Sequence, residues 1–220
     1  MTYFAPHDRP VLQWGWAGAA LEGESGDLHA VVPFPGGVLV AVIDGLGHGP
    51  EAAEAARAAE AVIEDCASDP VRVVVQRCHE AIRHTRGVAM SLASFDARSS
   101  SVTWLGVGNV EALLLRVAAS QSGAGARSPD ASYEAILCRG GVVGYRLPTL
   151  VETSLPVNRG DLLIMATDGI RHGFVPEIDR AERDPDTIAA HILRGYARGS
   201  DDALVLVARH LGPSAQEPTA

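Results

Sequence analysis

Two segments of the chain are apolar at every position, and each stops on the same pair of residues. Gly37-Val38-Leu39-Val40-Ala41-Val42-Ile43 runs into Asp44-Gly45, and Leu162-Leu163-Ile164-Met165-Ala166-Thr167 runs into Asp168-Gly169. Apolar residues on both parities predict strands buried on both faces. Ala203 to Ala208 reads the same way. Other strand-like runs are Val11–Ala20, Leu28–Phe34, Val88–Phe95, Val102–Val107, Val110–Val117, Tyr133–Cys138 and Thr149–Leu155, bounded by Gly, Pro, Asn, Asp and Ser clusters. Helical periodicity covers Glu51 to Ala67, Asp69-Pro70 to about Thr85, and Pro185 to Ala197. The strands between Val88 and Val117 predict an antiparallel meander. Pro35-Gly36-Gly37 predicts a hairpin that brings Asp27, at the start of one strand, within reach of Asp44, at the end of the next. Ala118 to Ala131, rich in Ser, Gly and Ala, predicts a mobile surface loop, and the segment after Gly212 a frayed tail.

The run-ends carry the candidate chemistry. A carboxylate at the margin of a core is costly unless a cation, a metal or backbone donors meet it. No basic residue lies in Asp44-Gly45-Leu46-Gly47-His48-Gly49-Pro50. Its glycines let backbone carbonyls approach a hard cation closely, and Pro50 suits the first turn of the helix that follows. An ordinary strand-turn-helix junction reads equally well from this stretch alone. Asp168 repeats the arrangement, and Gly199-Ser200-Asp201-Asp202 places further carboxylates in a turn before a buried strand. Four carboxylates, Asp27, Asp44, Asp168 and Asp201, thus stand at strand ends or turns. Oxygen ligands of this kind suit Mg²⁺ or Mn²⁺, and two ions share a site best when one carboxylate bridges them.

Other patterns are set aside. His79-Glu80-Ala81-Ile82-Arg83-His84 imitates a helical zinc motif, but its histidines are five apart, about 140° around a helix, so they read as surface histidines. Gly106-Val107-Gly108-Asn109-Val110 lacks the third glycine and the helix of a dinucleotide site and reads as a bulge. Three separated cysteines offer neither a disulfide framework nor a zinc cluster, and a reducing cytoplasm fits them. The formal charge of -9 disfavours nucleic acid and anionic membrane as partners. No apolar run approaches the ~18 residues that span a bilayer. With 220 residues, 47% of them hydrophobic, a single domain over 1–212 is the simplest organisation, with 213–220 a disordered tail.

In order and separation, Ser25-Gly26-Asp27, Asp44-Gly45-Leu46-Gly47-His48-Gly49, Thr167-Asp168-Gly169 and Ser200-Asp201-Asp202-Ala203 resemble the motifs of the metal-dependent PPM (protein phosphatase 2C-like) serine/threonine phosphatases, in their SpoIIE branch. Gly106-Val107-Gly108-Asn109-Val110-Glu111 and Gly141-Val142-Val143-Gly144-Tyr145 add a likeness to the RsbX-type stressosome phosphatases. The resemblance implies an α+β, four-layer α-β-β-α sandwich of two antiparallel sheets flanked by helices. It implies two ions, Mn²⁺ or Mg²⁺, with Asp44 bridging, Asp27 and the Gly45 carbonyl serving one, and Asp168 and Asp201 the other. It implies attack of metal-activated water on phosphoserine or phosphothreonine in the STAS-domain proteins of a stressosome. The alternatives are a SpoIIE/RsbU-like phosphatase of an anti-anti-sigma factor, a non-catalytic pseudophosphatase that binds partners, and a hydrolase of small phosphate esters. Two departures stand out. The arginine with which some members hold phosphate has no counterpart before Asp27, where Glu22 and Glu24 stand. The histidine that eukaryotic members place directly after Asp-Gly is displaced to His48, which leaves it a candidate leaving-group acid or a structural residue of the turn. Asp202 is expected to support the site or to face solvent.

Overall fold

The computed structural model describes residues 11–116, 133–179, 182 and 184–212. The expected loop at Ala118–Ala131 and the tail 213–220 lie outside the described residues.

The strands form two antiparallel five-stranded sheets. One contains β2 (Asp27–Phe34), β3 (Gly37–Gly45), β4 (Val88–Asp96), β5 (Ser101–Val107) and β8 (Thr153–Pro156), in the order β2-β3-β4-β5-β8. The other contains β1 (Leu12–Ala19), β6 (Glu111–Leu115), β7 (Tyr133–Ala135), β9 (Leu162–Ala166) and β10 (Ala203–His210), in the order β1-β10-β9-β6-β7. Helices α1 (Pro50–Asp65) and α2 (Val71–Ala81) cover the first sheet, and α3 (Pro185–Tyr196) covers the second. This is the α-β-β-α sandwich.

Strand parity explains why the two central runs read as apolar throughout. On β3, Leu39, Ala41 and Ile43 pack under the α1–α2 layer, while Val38, Val40 and Val42 pack between the sheets. On β9, Leu162, Ile164 and Ala166 meet the α3 layer, while Leu163 and Met165 face the inter-sheet core with Phe95, Trp104, Leu204 and Leu206. Each strand lies between two apolar layers, so neither parity has a polar option. The alanines of α1, Ala52, Ala55, Ala56 and Ala59, are buried and let the helix lie close on β2 and β3. Pro50 opens α1 as expected, and Asp184 caps α3 by accepting the Thr187 N–H at 3.1 Å.

Several expectations are corrected. The strands from 88 to 117 are not one meander: β4 and β5 pair, but β6 belongs to the opposite sheet, and Gly106–Val110 is the crossing between them. At that crossing Gly108 has φ +95°, and a Cβ there would stand 2.4 Å from the Ala89 Cβ. Helix α2 stops at Ala81 rather than near Thr85. The Thr85 hydroxyl donates to the Ile82 carbonyl at 2.8 Å and accepts the Gly87 N–H at 3.1 Å, holding the chain in a turn. Of the run Thr149–Leu155 only the end pairs with β5, because Glu152 turns to accept the Arg72 N–H at the start of α2. Beyond Ala135 the Tyr133–Cys138 run leaves the ladder and returns to β5, where Arg139 N–H donates to the Gly106 carbonyl at 3.2 Å.

Candidate metal centre

The parity that sorts the core also assembles the site. Continuing the even series of β3 past Val42 puts Asp44 on the inter-sheet face. Continuing the odd series of β2 from Val31 back through His29 puts Asp27 there, and Asp27 pairs with Asp44 in the ladder. On the opposite sheet, Thr167 continues Leu163 and Met165, and Asp202 precedes Leu204 and Leu206 in step. Four polar side chains therefore face one another where the apolar filling between the sheets ends. The contacts agree: the Thr167 hydroxyl donates to Asp27 Oδ2 at 2.7 Å and accepts the Leu204 N–H at 2.9 Å. Asp168 and Asp201 follow in the turns at the same end, Asp168 exposed and Asp201 half-buried.

Asp202 does not face solvent. It is buried, and its two oxygens accept the N–H groups of Leu21 and Gly26, both at 2.7 Å, so it ties the turn before Asp27 to the start of β10. That turn is tightly seated: Gly45 N–H donates to the Gly26 carbonyl at 3.0 Å. A Cβ on Gly45 would lie 2.3 Å from the Ala52 carbonyl oxygen, and one on Gly169 1.9 Å from that of Asp202. The glycine of each Asp-Gly pair is thus a packing requirement, which leaves the backbone beside the carboxylates bare.

Electrostatically the site is short of positive charge. Asp27, only 5% exposed, has its pKa raised to about 7 by burial, partly offset by the Thr167 hydrogen bond, with Asp202, Asp168 and Asp201 adding repulsion. Asp44 is raised to about 8, again first by burial and then by the charges of Asp27, Asp168, Asp201 and Asp202. Among the described residues no three Asp, Glu, His or Cys side chains are drawn together as tightly as a single ion would hold them. The donor set, all hard oxygen with two carboxylates forced towards protonation, fits divalent ions of the magnesium or manganese type.

Of the residues predicted for the site, Asp27, Asp44, Gly45, Asp168 and Asp201 come to one end of the sandwich. His48 stands exposed in the turn after Gly47 and makes no hydrogen bond among the described residues, so nothing ties it to a structural role. His84 is on the surface, but His79 is not free there: half-buried, its Nδ1 accepts the Gly144 N–H at 2.9 Å and holds the 141–146 loop to α2. Asp202 takes the supporting one of its two expected places, and Thr167, expected only as part of the Thr167-Asp168-Gly169 motif, supports Asp27. Asn109, read as part of a bulge, donates from Nδ2 to Asp168 Oδ2 at 2.5 Å, and only the sheet crossing that aims it could have shown this.

Comparison with known proteins decides the lineage. The sequence model described as "Stage II sporulation protein E (SpoIIE)" matches residues 35–211. The chain belongs to the SpoIIE family of PP2C-type phosphatase domains. Among its relatives, the phosphoserine phosphatase RsbX of Bacillus subtilis (strain 168) is 34% identical over 77 residues, 35% of this chain and 39% of that protein. The sequence match therefore spans about two fifths of that relative's length. A structure solved in work on the bacterial stressosome, "a modular system that has been adapted to control secondary messenger signaling", superposes with a TM-score of 0.76 at 31% identity, covering 90% of this chain and 99% of that one. The crystal structure of RsbX in complex with magnesium superposes with a TM-score of 0.75 at 23% identity, covering 90% and 95%, and speaks for the fold.

Proposed function

We propose that this chain is a divalent-metal-dependent protein serine/threonine phosphatase of the cytoplasm that removes phosphate from STAS-domain proteins of a stressosome. The observation that carries the reading is the set of carboxylates at one end of the sandwich, with Asp27 buried, Asp44 half-buried, and both pushed to pKa values near neutrality. In this reading Asp44, at the end of a strand covered on both faces, would be the shared ligand of two Mn²⁺ or Mg²⁺ ions. Asp27 and the Gly45 carbonyl would serve one ion, Asp168 and Asp201 the other. Ions so held supply a nucleophile from water at neutral pH and offset charge on the phosphoryl oxygens.

The chain's own residues fix the rest. Thr167 spends its hydroxyl proton on Asp27, which keeps one oxygen of that carboxylate oriented and leaves the other for coordination. Asn109 does the same for Asp168. Asp202 anchors the Leu21–Gly26 turn, so Asp27 enters β2 at a fixed place. The exposed His48 ring is held by nothing in the turn, so solvent is the better source of the proton for the departing serine oxygen.

Kinship with a protein named phosphoserine phosphatase and with a structure from stressosome work supports this choice of partner. A centre opening at strand ends and exposed turns accepts a phosphorylated loop of a folded protein, with selectivity supplied by surrounding surface. Phosphate release from a phosphorylated STAS-domain protein, compared with a short phosphopeptide of the same site at matched concentration, tests this. The reading expects the folded protein to be turned over far faster, in manganese and not in chelator. Equal rates would remove the folded partner and leave a general phosphatase.

A further inference from the structure

The stretch Glu22-Gly23-Glu24-Ser25-Gly26 directly before Asp27 holds no arginine to grip phosphate, and the fold brings one in from elsewhere. Arg198 lies thirty positions after Asp168 in the chain, yet its backbone N–H donates to the Gly169 carbonyl at 2.8 Å and its side-chain Nε to the Asp168 carbonyl at 2.7 Å. The bridge between Ile170 and Ala197 brings the two segments side by side. Three residues on, the same turn delivers Asp201. Arg198 is thus tied to the main chain beside Asp168 and lies three residues before Asp201, the two carboxylates assigned to the second metal position, with its guanidinium pinned by one nitrogen.

The other nitrogens of that guanidinium are uncommitted. Arg198 is exposed and forms no ion pair among the described residues. Other arginines show the contrast. Arg171 uses Nε and Nη2 on the carbonyls of Tyr196 and Gly195 and lies over the Tyr196 ring. Arg57 is paired with Glu24, and Arg86 with Glu51. A guanidinium fixed at one edge and open at the other, at the rim of a site otherwise made of carboxylates, is a fork for a doubly charged tetrahedral oxyanion.

We infer that Arg198 binds phosphoryl oxygens of the substrate, taking the place of the arginine that the turn before Asp27 lacks. The inference rests on the reading of the site as a metal-dependent phosphatase centre. It is a substrate-binding role, and it makes the grip on phosphate stronger than metals alone would give.

The test uses inorganic phosphate as a product inhibitor of the manganese-loaded full chain, with manganese affinity measured separately by calorimetry. Arg198→Ala is expected to weaken phosphate inhibition about tenfold and to raise KM, while manganese affinity stays within about twofold of wild type. Arg198→Lys recovers part of the loss, and Arg171→Ala leaves phosphate inhibition unchanged. Unchanged phosphate inhibition in Arg198→Ala overturns the inference. So does a loss of manganese affinity in step with it, which would make Arg198 a holder of the Asp168 turn. Asp44→Asn tests the underlying reading separately: wild-type manganese binding by that variant sinks the metal centre, whatever Arg198 does.

Discussion

Asp44→Asn should make the metal-free protein more stable at pH 8 while destroying its response to manganese. The folded chain holds the Asp44 carboxyl at a pKa of about 8, against an ordinary 3.8, because burial and neighbouring carboxylates oppose its ionisation. A carboxyl raised in the folded state binds more protons folded than unfolded between those two values, so stability falls as pH rises through that window. At pH 8 the shift sets a ceiling on the order of 5 kcal/mol on the cost of ionising Asp44. Asp27 shares that cost, since a proton taken up by either member of the pair relieves both, which brings the expected gain from Asn to about 2 kcal/mol. For a chain of this size that is a rise of about 5 °C in melting temperature. At pH 5, only about one unit above the ordinary carboxyl value where the window begins, most of the gain should be gone. Thermal unfolding by circular dichroism in chelator, at pH 5 and pH 8, reads both ends. Manganese should then raise the melting temperature of wild type and leave that of Asp44→Asn nearly unmoved. An Asp44→Asn protein that melts at or below wild type at pH 8 in chelator would refute the argument that Asp44 is an uncompensated charge, and stabilisation of both proteins by manganese to the same extent would remove it from the metal centre.

Two smaller changes probe what supports the carboxylates. Asn109→Ala frees Asp168 from its amide donor, and the loss of about 1 kcal/mol of orientation should weaken manganese binding about fivefold by calorimetry, with melting temperature in chelator nearly unchanged. Gly169→Ala puts a Cβ 1.9 Å from the Asp202 carbonyl, backbone that cannot step aside, so the soluble yield or the urea midpoint should drop sharply, by 2 kcal/mol or more on the order of known overpacking costs.

Where the sequence was sufficient, the reason is layer burial. A strand covered on both faces has no polar positions, so β3 and β9 stand out, and their first polar residues, Asp44 and Thr167-Asp168, mark where the covering ends. The register of β2 against β3 was equally open, because a short turn fixes it. What stayed hidden depends on contacts between segments far apart in the chain. Nothing local in Gly106–Val110 says that the strand after it joins the other sheet, and with the sheet crossing unseen, Asn109 had no target. Arg198 is likewise anonymous in an exposed stretch after α3 until the Ile170–Ala197 bridge brings it beside Asp168. His79 looked like a surface residue because helix periodicity does not reveal that a glycine-rich loop folds back over α2.

The central claim is that Asp27, Asp44, Asp168 and Asp201 together make one metal-dependent phosphatase centre. Its most direct test is phosphate release from a phosphorylated STAS-domain protein, titrated with manganese after exhaustive chelation, for wild type and for the Asp27, Asp44, Asp168 and Asp201→Asn variants. The account predicts turnover by wild type that appears only with manganese and is lost upon return of chelator, together with a rate near background for Asp44→Asn. Turnover that persists in chelator, or that survives Asp44→Asn at the wild-type rate, would contradict it.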